Sequence, residues 1–94
     1  MRQSPVKSIR VVLLTHGAYG PPERLKGRKL FIVSRDDRGS GDKPRLAKIR
    51  AQYEKAPDPK ELVILEGSAH AQFMFQTDQG ERLLHEVLRF LSAP

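Results

Sequence analysis

The sequence predicts an α/β domain built on a three-stranded parallel sheet with flanking helices. Three short segments rich in apolar residues are the predicted strands: Ile9–Leu14, Lys29–Ser34 and Glu61–Glu66. The first is apolar almost without interruption, which is typical of a parallel strand covered on both faces. Helical segments follow the second and third strands, and this alternation favours parallel pairing through crossover connections.

The link between the first two strands is predicted to be mostly loop. Gly20-Pro21-Pro22 continues neither regular structure. Glu23–Lys26 could form one helical turn, which Gly27 would end. The link runs from residue 15 to residue 28 and is long enough for a crossover without a full helix.

The second and third strands are joined by a polar, Gly-rich loop at Asp36–Lys43 and then a predicted helix. Pro44 suits the first turn of that helix, and Pro57 and Pro59 end it. Apolar side chains recur on one of its faces: Leu46, Ile49, Tyr53 and Ala56.

A second helix is predicted to close the chain. It should begin near Thr77 or Asp78, because Asp78 and Glu81 have the spacing of a capping box. Its predicted apolar stripe comprises Leu83, Leu84, Val87, Leu88 and Leu91.

Length and composition indicate one small domain. The 94 residues suffice for a thin core, with residues 1–8 as a flexible N-terminus and residues 9–94 as a single α/β domain. The chain has no cysteine, which excludes disulfides and thiolate metal sites. The longest apolar runs, such as Val11–Leu14, are far shorter than a membrane span, and the first residues do not resemble a signal peptide. We therefore expect a cytoplasmic protein with no membrane partner.

The net charge of +6 is distributed unevenly. Residues 1–53 hold 13 Lys or Arg and 4 Asp or Glu, giving +9, whereas residues 54–94 hold 4 and 7, giving −3. Such a basic half could bind nucleic acid or another polyanion. Phe and Tyr are not interleaved among the basic residues, so a solvated face is the preferred interpretation.

His70 is the strongest candidate for chemistry. It follows the third strand in Gly67-Ser68-Ala69-His70, while Asp36 and Asp37 follow the second strand. The order of strand, acid, helix, strand, histidine and helix suggests an acid that orients a histidine.

In this order and spacing, the chain resembles the C-terminal third of an α/β-hydrolase of the small esterase and dienelactone-hydrolase-like branch. The resemblance covers roughly residues 28–94, and it implies a partial α/β-hydrolase fold. It also implies that His70 is the catalytic histidine and Asp37 the catalytic acid, with Asp36 as the alternative. Chain order favours Ile9–Leu14 as the counterpart of the strand that precedes the acid strand in that family. The alternative is that Thr15-His16-Gly17 after this strand corresponds to the family's oxyanion loop.

The family's serine nucleophile is missing from the pattern. The family places it in Gly-x-Ser-x-Gly on a sharp turn that also supplies an oxyanion donor, and no such motif occurs here. Ser40 has glycines directly beside it but none two positions away, Ser68 follows the wrong strand, and Ser34 ends the strand that should carry the acid. The sequence therefore predicts a truncated hydrolase-like protein that is not a competent hydrolase alone.

Alternatives to this interpretation stay open. Another chain could supply a nucleophile, His70 could activate water directly, or the basic half could make the chain a binding module. His16 is interpreted as a loop histidine, His85 as a surface residue, and Phe73–Phe75 as core or interface. No metal-ligand spacing and no phosphate-binding glycine loop is present, so no cofactor is expected.

Self-association is the expected partnership. Ile9–Leu14 would form an open sheet edge that is apolar on both faces, which invites pairing with another chain. A homodimer through this edge strand is the simplest arrangement.

Overall fold

The computed structural model describes residues 9–15, 20–38 and 45–93. Its centre is a three-stranded parallel sheet in the order β1-β2-β3, formed by Arg10–Leu14, Arg28–Ser34 and Lys60–Leu65. The predicted α/β class and the parallel sheet are therefore confirmed. At most of the strand ends, the observed bound differs from the predicted bound by one residue.

Burial follows the position of each strand in the sheet. Every residue of β2 after Arg28 is buried, whereas β1 and most of β3 are only half-buried. The register sets Val11 beside Lys29 and Ser34 beside Leu65. Since parallel strands of matched register end together, the loops after β2 and β3 leave the sheet at the same edge.

Two helices cover opposite faces of the sheet. Helix α1 comprises Arg45–Lys55 and packs Ile49 against Phe31 and Val33. Helix α2 comprises Gly80–Ser92 and packs Leu83 and Phe90 on the other face. Alternate β2 side chains point to opposite faces, so β2 contributes to both cores. A short 3-10 turn at Pro22–Arg24 contacts α1.

The predicted start of the last helix is wrong. Helix α2 begins at Gly80, with no side-chain cap, because residues 77–79 form a separate turn. The Thr77 hydroxyl donates to the Met74 carbonyl (2.8 Å) and accepts the Gln79 amide (3.0 Å). The hydrogen bonds of Thr77 thus stabilise a turn before the helix, and the Asp78–Glu81 capping box does not form.

The apolar stripe of α2 is wider than the sheet can cover. Leu83 is buried, and Val87 is packed against the core, as predicted. Leu84, Leu88 and Leu91 lie on the exposed flank instead. Phe90, which the predicted stripe omitted, is buried. In the described segments no helix is long and apolar enough to cross a membrane, and residues 1–8 lie outside them.

Lys29 is an unusual buried cation in β2. Its Nζ donates to the Pro57 carbonyl at 2.9 Å, which anchors the start of β2 to the turn before β3. Burial lowers the pKa of Lys29 from its ordinary value of 10.5, Asp58 opposes that effect, and the Lys60 charge adds to it. The charged form of Lys29 is therefore less favoured in the folded protein than in the unfolded chain.

This difference predicts a pH dependence of stability. Because the unfolded state holds the Lys29 proton more tightly, the free energy of unfolding should gain a positive slope with pH in the interval just below 10.5. Urea denaturation of the wild type and of Lys29→Met over that interval should show that the free energy of unfolding of the wild type rises relative to that of the variant as pH rises. A difference between the two that is independent of pH would contradict the assignment.

Gly27 holds the starts of β1 and β2 together. It has a φ of +76°, and a Cβ there would collide with the Ile9 carbonyl. Gly27→Ala should therefore destabilise the fold by more than the roughly 1–2 kcal/mol that a left-handed residue costs. Gly67 is the matched control, since its φ is +99° and nothing lies within 4 Å of an added Cβ. In thermal or urea denaturation, Gly27→Ala should be much less stable than Gly67→Ala. Equal losses of stability in the two variants would contradict the collision.

Candidate active site

The candidate site forms where β2 and β3 end at a common sheet edge. Main-chain bonds continue past the strands: the Arg35 amide donates to the Leu65 carbonyl (2.8 Å), and the Asp36 amide donates to the Gly67 carbonyl (2.9 Å). The two loops therefore run side by side before they diverge. This pairing brings the acidic loop close to the segment that carries His70.

A turn after β2 selects Asp37 over Asp36. The Asp37 amide donates to the Ser34 carbonyl at 3.2 Å, which closes a four-residue turn. Asp36 is exposed in this turn, whereas Asp37 is buried. The Asp37 carbonyl also accepts the Arg45 amide at 2.6 Å, so the first turn of α1 is fixed to the same residue.

Asp37 and His70 are hydrogen-bonded. His70 Nδ1 lies 2.7 Å from Asp37 Oδ2, although 33 residues separate the two in sequence. The carboxylate is almost entirely enclosed, with 2% of its side chain exposed, while 33% of the His70 side chain is exposed. The structure thus brings together the predicted acid and histidine, and it places Asp36 on the surface.

This geometry suits proton transfer. A carboxylate that accepts the Nδ1 proton fixes the ring orientation and selects the tautomer in which Nε2 is the basic nitrogen. It also stabilises the imidazolium that forms when Nε2 takes up a proton. Asp37 is thus an enclosed acceptor, whereas a third of the His70 side chain remains exposed.

Thr15 contacts the segment that carries His70, which sequence patterns do not reveal. It follows β1, is completely buried, and has a φ of +67°, which is rare for a β-branched residue. Its amide donates to the Ile32 carbonyl (2.7 Å), and its Oγ1 accepts the Ala71 amide (3.1 Å). Ala71 is also left-handed, with a φ of +52°. Two unfavourable conformations are therefore held by one buried contact, directly after His70.

The other sequence candidates differ in burial, and two of them lie outside the described residues. Ser34 is buried at the end of β2, Ser68 is exposed after β3, and His85 is exposed on α2. His16 and Ser40 fall outside the described residues. In the 3-10 turn Ala71–Gln76, Met74 joins the core as predicted, whereas Phe73 and Phe75 are about half exposed.

Neither a search for metal-ligand clusters in the described residues nor comparison with known proteins identifies a function. Within residues 9–15, 20–38 and 45–93, no group of three or more potential ligands is arranged to hold a metal ion. No family model, curated protein or solved structure matches the chain. A functional proposal therefore depends on the geometry of Asp37 and His70.

The Thr15 contact predicts a specific disturbance of the site. Thr15→Val removes the acceptor of the buried Ala71 amide and should lower the free energy of unfolding by about 1–3 kcal/mol. It should also broaden or shift the His70 ring ¹⁵N signals, because the residue after His70 loses its anchor. Thr15→Ser retains the hydroxyl and should preserve the ring signals. A Val variant with unchanged ring signals would show that Thr15 does not position the histidine.

Proposed function

We propose that this chain is α/β-hydrolase-like and that Asp37 and His70 are its acid and general base. The observation that carries the proposal is the 2.7 Å hydrogen bond between His70 Nδ1 and the buried Asp37 carboxylate. We propose further that these 94 residues do not form an acyl-enzyme on their own, since they contain no Gly-x-Ser-x-Gly.

The topology supports the proposal. The acid follows the central strand, the histidine follows its parallel neighbour, and a helix follows each loop. This is the arrangement that the resemblance implies for the last part of an α/β-hydrolase. Pairing of the two loops beyond the strand ends explains how residues so distant in sequence meet.

Stability alone does not account for the pair. Enclosing a carboxylate is costly unless it is hydrogen-bonded, and well-packed apolar residues often replace a buried ion pair at no loss of stability. A buried acid hydrogen-bonded to a partly exposed histidine is the arrangement that orients a general base.

The chemistry that the pair could perform is general-base hydrolysis of an activated ester. His70 Nε2 would accept a proton from water while the water oxygen bonds to the ester carbonyl carbon. The tetrahedral intermediate would then collapse, breaking the bond to the alcohol oxygen, and the imidazolium proton would return to that leaving group. Asp37 would stabilise the imidazolium throughout.

We expect this activity to be weak. General-base assistance contributes roughly 10²–10⁴ in rate, and a missing oxyanion donor forfeits roughly 10²–10³. Purified protein should therefore hydrolyse short-chain nitrophenyl esters little faster than free imidazole, with no burst of product. His70→Ala and Asp37→Asn should remove what activity there is.

His85→Ala and Asp36→Asn are the matched controls, since both side chains are exposed and lie outside the pair. Loss of activity in the controls equal to that in the pair variants would contradict the assignment. Robust turnover with a burst, together with labelling of the chain by a fluorophosphonate, would overturn the proposed lack of a nucleophile. Labelling of a second, added protein that requires the wild-type chain and is lost with His70→Ala would instead identify a nucleophile supplied by another chain.

A further inference from the structure

Helix α2 runs antiparallel to the strands. Near its start, Gln79 Oε1 accepts the amide of Glu66, just past the end of β3 (3.2 Å). Near its end, Arg89 Nη2 bonds Glu61, at the beginning of β3 (2.7 Å). On the other side, Arg10 Nη1 in β1 donates to the Phe90 carbonyl (2.8 Å). The last turn of α2 therefore lies over the beginning of the sheet.

Helix α2 carries an exposed apolar row, here named the leucine stripe. It consists of Leu84, Leu88 and Leu91, which are 50%, 53% and 48% exposed. Their spacings of four and then three residues are those of a helix–helix seam. The stripe lies beside the buried face of α2, so the apolar surface of the helix extends past the part that the sheet covers.

The leucine stripe faces the β1 side of the sheet. At about 100° per residue, it is centred roughly 100° around the helix from the face that buries Leu83 and Phe90. Arg89, which bonds β3, lies on the opposite flank of that buried face. Because Arg89 is on the β3 side, the stripe lies on the flank of α2 that is directed towards the outer edge of β1.

That edge of β1 has outward-facing main-chain groups. The Thr15 amide donates to the Ile32 carbonyl, and the Ile9 carbonyl accepts the Arg28 amide, so alternate residues face β2. The intervening residues Arg10, Val12 and Leu14 direct their N–H and C=O groups away from β2. Among the described segments, β2 is the only strand that pairs with β1.

We propose that a second copy of this chain binds at this surface, with the two β1 strands antiparallel and the two leucine stripes in contact. A two-fold axis through Val12 would pair Val12 with its symmetry mate and Arg10 with the partner's Leu14. Each opposed pair would exchange both of its main-chain hydrogen bonds. The result is a continuous six-stranded sheet with two α2 helices side by side on one face.

The strand and the helix fit the same axis. From Arg10 to Val12 the strand advances about 7 Å, which equals four to five residues of helix at about 1.5 Å each. The Arg10 side chain lies beside Leu91, with 3.2 Å from its Nη1 to the Leu91 carbonyl. Four to five helical residues before Leu91 is about Val87. Along the strand direction, an axis at Val12 is therefore roughly level with Leu88, the centre of the leucine stripe, so strand pairing and stripe contact can share one axis.

Charge complementarity favours the same partner. Glu81 is exposed three residues before Leu84 and continues the line of the stripe. In an antiparallel arrangement it would approach the last turn of the partner's α2, where the partner's Arg10 is held. Each dimer would contain this opposite-charge approach twice, once at each end of the helix pair.

The first test measures oligomeric state by light scattering at micromolar concentration. Wild-type protein should be a dimer, and Leu88→Glu should be a folded monomer, because Leu88 is exposed and contributes little to the core. Phe73→Glu is the matched control, since Phe73 is 54% exposed but lies outside the stripe, and it should remain a dimer. A monomeric wild type, or equal dimerisation of both variants, would overturn the proposal.

A cross-linking test does not depend on a disruptive variant. The chain has no cysteine, so Leu88→Cys introduces a single thiol close to the proposed axis. Mild oxidation should convert it to a disulfide-linked dimer, while Phe73→Cys should not be linked under the same conditions. Equal linking of the two variants, or none at Leu88→Cys, would overturn this arrangement and leave the proposal for Asp37 and His70 unaffected.

Discussion

Parallel pairing of β2 with β3, in the register that sets Ser34 beside Leu65, determines where the candidate functional residues lie. The pairing makes both strands end at one level, and main-chain bonds from Arg35 and Asp36 extend it into the loops. Only then can the turn at Ser34–Asp37 direct the Asp37 carboxylate to His70. A shift of one residue in this register would turn the side chains of β3 to the opposite faces, and it would also remove the alignment of the two loops.

The site is supported by β1 as well as by its own strands. Thr15 reaches from the end of β1 to the Ala71 amide, so all three strand ends converge on the segment around His70. A left-handed β-branched residue and a left-handed alanine are both unfavourable locally, and surrounding structure must stabilise them. Such conformations persist more often at sites with a geometric task than in ordinary connections, which agrees with a role for His70 beyond packing.

The sequence predicted the elements better than the contacts between them. Branched apolar runs identified all three strands, because burial in a parallel sheet demands continuous apolar character. Asp37 and His70 were predicted from their positions after strands, and the structure brings them together. The resemblance favoured Asp37, three residues after Ser34, and kept Asp36 as the alternative; the turn closed at Ser34 buries Asp37 and leaves Asp36 exposed. Thr15 left no pattern at all, because its role arises from a tertiary contact with a residue 56 positions away.

The apolar residues of α2 belong to two different surfaces of the helix. It predicted a single stripe, but the structure divides that stripe into a face that packs on the sheet and an exposed row, Leu84, Leu88 and Leu91. Periodicity reports which side chains are apolar, not which neighbour covers them, so one helix can satisfy an internal and an external contact at once. In the proposed dimer, Leu14 pairs with the partner's Arg10, and Thr15 follows Leu14 directly. Association would therefore restrain the same strand end that holds Ala71, and it would link the dimer surface to the segment that follows His70.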